Sequence, residues 1–195
     1  AHEERARDII RTVVPASVQV CTSSEVMPEF REFERVSTTC ANAALSPRMD
    51  AYLGHFLGRL ADLNIDVSPY TFHSNGGLMS PETVRQFPVR TCLSGPAAGV
   101  VGAAAIARAA DHLNVVTFDV GGTSTDVSLI ANGEPGFSQE RSVAGYLVKS
   151  PTIDVHVIGA GGGSIAWLDE GGALKVGPHS AGAVPGPAAY GAGGT

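Results

Sequence analysis

Two β-rich runs meet around a pair of glycines in the middle of the chain. Val115-Val116-Thr117-Phe118 leads into Asp119, Gly121-Gly122 follow, and Val127-Ser128-Leu129-Ile130 forms the second run. Runs of this kind around a Gly-Gly turn predict a strand–turn–strand hairpin. Upstream, the spacing of apolar positions is helical. Ile9, Ile10 and Val13 among charges predict an amphipathic helix over 1–13. Residues 29–45 predict a second helix. Tyr52, Leu53, Phe56, Leu57, Leu60 and Leu63 predict a third over 49–63, with Pro47 between the two as a breaker or starter. Ser80-Pro81-Glu82 carries an N-cap, a first-turn proline and an early acid, so a short helix starts there. Pro96 opens an Ala-rich helix to about 110, and short strands are expected at 18–20, 65–72 and 89–93. Beyond the hairpin, strands are expected at 137–140, 143–149, 152–158, 164–168 and 173–176, the last two joined by a Gly171-Gly172 turn.

Glycine usage shifts along this pattern: 17 of the 24 glycines follow Val120. The chain therefore reads as one partial domain over 1–195, with a helix-rich part at 1–110 and a Gly- and β-rich part at 111–195. The tail from 177 onward is mostly Gly, Ala, Pro and Ser, the composition of a surface binding loop or a flexible end. With 195 residues, 44% hydrophobic and 16% charged, the chain can bury a globular core. A formal net charge of −6 argues against nucleic acid or an anionic membrane as partner. No apolar run reaches the roughly 20 residues that span a bilayer. Cys21, Cys40 and Cys92 are scattered and odd in number, which suits a reducing cytoplasm better than a disulfide framework or a zinc site.

The hairpin carries the candidate chemistry. Glycines allow backbone N–H groups to approach an anion, and successive N–H groups in a tight turn form an anion-binding concavity. Thr123, Ser124 and Thr125 add hydroxyls, and Asp119 and Asp126 flank the turn with carboxylates suited to a divalent cation. The segment is neither a Walker loop nor a dinucleotide fingerprint. A second glycine run, Gly159-Ala160-Gly161-Gly162-Gly163-Ser164, follows an apolar strand and lets main chain lie against a ligand. Asp154 and His156 alternate, so on one strand they would share a face and offer two ligands to a second divalent metal, with His179 as a third if the tail folds back. Ser74-Asn75-Gly76-Gly77 and Ser94-Gly95-Pro96 read equally well as ligand sites or as a turn and a cap.

These motifs resemble a known family. Thr117-Phe118-Asp119-Val120-Gly121-Gly122-Thr123-Ser124-Thr125-Asp126 is similar to the phosphate loop of the actin, sugar-kinase and chaperone ATPase superfamily. More narrowly, the chain resembles the hydantoinase A, 5-oxoprolinase and acetone carboxylase family along nearly its whole length. The matching stretches are 28–35, 74–79, 94–100, 154–164 and 177–182. It departs from the family pattern at Val184, where an acid is expected before Pro185, at Ala189, where a cysteine commonly precedes Tyr190, and at His73, where an amide is usual.

The resemblance implies an α/β fold: an RNase H-like, actin-like ATPase lobe with a mixed sheet flanked by helices, plus Gly-rich β-hairpins. It implies one lobe of two, the upstream lobe with its own phosphate loop lying outside these residues. It implies ATP and Mg²⁺ as cofactors and part of an ATP-dependent amidohydrolase that opens hydantoin or oxoproline rings, or of a related carboxylase. The substrate would be a cyclic amide or ketone and the partner a hydantoinase B-type subunit or domain, in a cytoplasmic oligomer. On this reading Gly121, Gly122, Thr123, Ser124 and Thr125 hold phosphate and Gly161, Gly162 and Gly163 border the nucleotide. Asp119 and Asp126 act in catalysis, Asp119 on the magnesium, and Asp154 and His156 are the further metal candidates. A sugar-kinase-like phosphotransferase lobe and a non-catalytic interaction domain are the alternatives.

Overall fold

The computed structural model describes residues 2–143 and 145–194. Helices α1 (His2–Val13), α2 (Ser23–Val26), α3 (Glu32–Asp62), α4 (Pro81–Gln86) and α5 (Ser94–Ala109) precede most of the strands. The strands are β1 (Thr71–Phe72), β2 (Leu78–Met79), β3 (Val115–Val120), β4 (Thr125–Ala131), β5 (Glu134–Pro135), β6 (Phe137–Val143), β7 (Tyr146–Ile153), β8 (His156–Ile158), β9 (Ser164–Leu168) and β10 (Leu174–Ser180). The molecule is α/β, but every strand pair among the described residues is antiparallel, so the expected mixed sheet is not formed among them.

The chain divides into two compact units, residues 1–98 with 137–153, and residues 99–136 with 154–195. Helices α1 to α4, strands β1 and β2 and the β6–β7 hairpin fall in the first unit, and most of α5 falls with the remaining strands in the second. In the first unit, Val26, Val89 and Val148 form one buried cluster, and Leu53, Met79 and Val84 another. Helix α3 continues through Pro47 for 31 residues where a break was expected. Tertiary contacts hold that region. Asn42, fully buried, donates to the Gln86 carbonyl and accepts from the Val89 amide, and the Ser46 hydroxyl donates to the Asn42 carbonyl. These bonds oppose the lost helical bond and ring clash that a proline brings. The buried stripe is Leu53 with half-buried Leu57 and Leu60, while Tyr52 and Phe56 stack on the exposed side. Phe30 and Phe33, read as packing inward or against the lobe outside these residues, are 94% and 74% exposed. Residues 18–20 form no strand, only Thr71–Phe72 of 65–72 is extended into one, and the strand expected at 89–93 is a 3-10 turn at Pro88–Thr91. The start of α4 is as read, Ser80 accepting from the Thr83 amide.

In the second unit β4 is central, paired with β3 on one side and with β5 and β8 on the other. Ile130 is fully buried, and Val100, Ala104 and Val155 are nearly so. Strands β9 and β10 form the hairpin expected at Gly171-Gly172, with Gly172 at positive φ.

Candidate functional site

The β3–β4 hairpin is continuous from Val115↔Ile130 to Val120↔Thr125, and it closes through four residues, Gly121 to Ser124. The Gly121 amide donates to the Ser124 carbonyl at 2.9 Å. The next amides, Gly122 and Thr123, have no partner among the described residues, and both residues are exposed. The Thr123 and Ser124 hydroxyls are also unengaged among those residues. The turn thus presents two consecutive free N–H groups at its tip, the geometry that receives an anion.

Its shape is set by the second glycine run. Gly162 N donates to Gly121 O at 2.9 Å, and Gly163 N donates to Gly122 O at 2.7 Å. Gly161 N donates to Ser164 Oγ, and the Thr125 hydroxyl donates to the Ala160 carbonyl at 2.7 Å. The two loops lie main chain against main chain. A Cβ on Gly161 would stand 2.5 Å from Gly121 O and 2.8 Å from Ser124 N, and one on Gly163 3.0 Å from Gly122 O. Glycine at 161 is therefore required by close approach of backbone, and the space at 163 is tight. All three amides of Gly161, Gly162 and Gly163 are consumed within the protein, so these residues offer a ligand a flat surface and no N–H donors. Thr125 is likewise committed: it is buried and ties the loops together.

Asp119 and Asp126 are Cα partners across the hairpin, and Asp126 is also the partner of Val157 in β8. Partners across an antiparallel ladder share a face, so the two carboxylates emerge side by side. His156 is the partner of Val127, which is the partner of Phe118. That row alternates with the acidic row, so His156 emerges on the opposite face of the sheet from Asp119 and Asp126. Asp154 precedes β8 and its main chain is bound at both ends: its amide donates to Gly136 O, and its carbonyl accepts from the Ser128 hydroxyl. His179 packs edge-on against Trp167, with ring centroids 6.0 Å apart. Among the described residues no three His, Cys, Asp or Glu side chains are grouped to hold a metal.

Remaining candidates are local. Asn75 Oδ1 accepts from Gly77 N, and His73 Nδ1 accepts from Asn75 N, which closes a turn at 73–77. Burial, and then Arg90, hold the His73 imidazole below its ordinary pKa. Burial pushes the Cys21 and Cys92 thiols up, away from the thiolate that nucleophilic chemistry needs. No described helix is long and apolar enough to cross a membrane. Sequence reasoning missed Tyr190, whose hydroxyl would be 3.7 Å from a Cβ at Gly122 and 3.9 Å from one at Gly162. No local pattern places a tail tyrosine there.

Comparison with known proteins places this hairpin in a family context. The hydantoinase/oxoprolinase family model matches residues 35–195. Caprolactamase subunit alpha of Pseudomonas jessenii is 42% identical over all of this chain, which covers 28% of that protein. The 5-oxoprolinase of Saccharomyces cerevisiae is 36% identical over 99% of this chain and 15% of its own length. The crystal structure of ATP-dependent caprolactamase from Pseudomonas jessenii superposes with a TM-score of 0.81 over 99% of this chain and 28% of that chain. Nucleotide-free acetone carboxylase, whose acetone carboxylation is ATP-dependent, gives 0.76 at 31% identity, over 93% of this chain and 26% of its own. The chain thus spans less than a third of the length of these relatives.

Proposed function

This chain belongs to the hydantoinase/oxoprolinase family, and from that premise we propose that it supplies the phosphate-gripping half of an ATP-dependent enzyme acting on a cyclic amide or ketone. Ring opening of the hydantoin or oxoproline type is the leading reaction, and carboxylation the related one. The observation that carries this reading is the pair of unengaged amides at Gly122 and Thr123, held open by a second glycine loop whose own donors are spent.

The donor set fits a magnesium-loaded phosphate. Two N–H groups and the Thr123 hydroxyl have no partner among the described residues and are open to an anion. The neighbouring Asp119 and Asp126 carboxylates form the hard oxygen pair that a hydrated Mg²⁺ accepts. ATP, when bound, would supply a phosphoryl group to a carbonyl or enol oxygen of the substrate, which converts that oxygen into a good leaving group and a poor electrophile into an activated phosphate ester. Catalysis of that transfer rests on positioning and charge stabilisation. Within this chain the Gly122 and Thr123 amides would orient the phosphate and Asp119 and Asp126 would hold the cation and its waters, while the Thr125–Ala160 bond keeps the loop in register. The surface of Gly161 to Gly163 borders the nucleotide. For Asp154 and His156 the support is weaker: His156 lies on the face away from the acids, and among the described residues no third ligand is grouped with the pair. No step is assigned to them.

The actin-like lobe, with the other half of the nucleotide cleft outside this chain, and a hydantoinase B-type partner subunit or domain are part of the same proposal. So is a cytoplasmic setting. The test is ATP turnover by the full-length protein with its partner, offered hydantoin, 5-oxoproline and ketones, with product analysis. Substrate-dependent ADP or AMP release with a ring-opened or carboxylated product supports the reading. A stable phosphorylated product would instead identify a phosphotransferase.

A further inference from the structure

Tyr190 stands at the mouth of the loop pair with nothing bound to its hydroxyl among the described residues. A Cβ added at Gly122 would lie 3.7 Å from the phenol oxygen, and one at Gly162 3.9 Å. The oxygen therefore lies beside the two loops, close to Gly122 and Gly162. Its ring is seated by the tail. Pro187 O accepts from Tyr190 N at 2.9 Å, and Ala188 O accepts from Gly191 N at 3.1 Å, which closes a 3-10 turn at Ala188–Tyr190. Gly186 has φ +76 and is buried, and a Cβ there would be 2.5 Å from Tyr190 Cδ2 and 3.1 Å from Cε2. The tail backs one edge of the ring closely enough that a side chain at 186 would collide with it, while Tyr190 as a whole stays 52% exposed.

A ring needed merely to anchor the tail would serve as well without its hydroxyl. The hydroxyl instead lies beside Gly122, whose amide has no partner among the described residues. A phenol O–H has the same hydrogen-bonding sense as a backbone N–H toward an anion, and it brings no charge to compete with a nearby cation. We propose that Tyr190 is a binding residue of the anion site, its O–H donating to the same phosphate that the Gly122 and Thr123 amides receive. This inference rests on the nucleotide reading above, and it assigns a function to a tail that the reading leaves idle.

The test uses the full-length protein and its Tyr190→Phe variant, titrated with MgATP, MgADP and adenosine. Phenylalanine keeps the ring edge against Gly186 and breaks no hydrogen bond among the described residues, so the ligand-free proteins should melt together. A hydrogen bond to a charged phosphate is expected to be worth about tenfold in affinity. The variant should therefore bind MgATP and MgADP about tenfold more weakly while adenosine binding is unchanged. Equal MgATP affinity in the two proteins would overturn the inference and leave the nucleotide reading standing. Equal losses for MgATP and adenosine would also overturn it, since that pattern reports displaced packing whatever the melting curves do. A wild-type protein that binds none of the three would overturn both.

Discussion

Asp119 and Asp126 face each other directly across the β3–β4 ladder, one residue out from the pair that flanks the glycine turn. Two like charges in opposed positions on one face destabilise a hairpin. A bound cation reverses that relation. Asp119→Asn should therefore leave the ligand-free protein as stable as before, or more so by up to about 1 kcal/mol. The same change should remove most of the stabilisation that Mg²⁺ with ATP confers on the wild type. Calorimetric melting with and without MgATP checks both halves. A variant that melts lower when free and gains as much from MgATP would contradict the cation role.

The loop pair makes a sharper demand on one glycine than on its neighbour. Gly161→Ala drives a Cβ to 2.5 Å from Gly121 O, a backbone atom that cannot swing away. A cost of about 1–3 kcal/mol is expected from such overpacking. At Gly162 the nearest atom to a Cβ is 3.8 Å away, so Gly162→Ala should be nearly neutral. Thermal melting of the two variants side by side tests the contrast.

Thr125 and Thr123 should separate structure from binding. Thr125→Val leaves the Ala160 carbonyl without its donor, and about 1–2 kcal/mol of stability should go with it. Thr123→Val breaks no hydrogen bond among the described residues, so the melting point should hold while MgATP affinity falls several-fold. Melting and titration calorimetry on both variants read the two effects independently.

Acid should loosen the docking of α1. Glu3 accepts from the Ser24 amide and the Ser23 hydroxyl and pairs with Arg35. These contacts, the Ser24 amide first among them against a smaller cost of burial, hold its carboxyl below its ordinary pKa. A carboxyl whose folded pKa is lowered contributes fully above the unfolded value, about 4.3, and loses the contribution as pH falls through the folded value. With its side chain 40% exposed, the effect is screened and small. Amide exchange over residues 2–13 should quicken, beyond the intrinsic pH effect, as pH drops from about 5 to about 3. Glu3→Gln should flatten that dependence.

What the sequence disclosed was local. The hairpin at 115–130, the Ser80 cap and the Gly171-Gly172 turn are each set by residues within a few positions, and the structure has them. The continuous helix through Pro47 was not legible, because Asn42 reaches Gln86 and Val89 from 44 and 47 residues away. The role of the second glycine run was hidden for the same reason. Gly161 to Gly163 look like ligand-facing main chain until their amides are traced to Gly121, Gly122 and Ser164. Thr125 looked like one more phosphate hydroxyl, and its bond to Ala160, 35 residues on, makes it a brace.

The central claim concerns two backbone amides, and amide exchange reads them directly. In the full-length protein, peptides covering 119–126 should exchange quickly at Gly122 and Thr123 when no ligand is present, since neither amide is paired. Saturating MgATP should slow that exchange at least tenfold, a protection absent with adenosine alone. Exchange at Gly122 and Thr123 that is already slow without ligand, or that stays fast in a protein shown to have bound MgATP, would contradict the account.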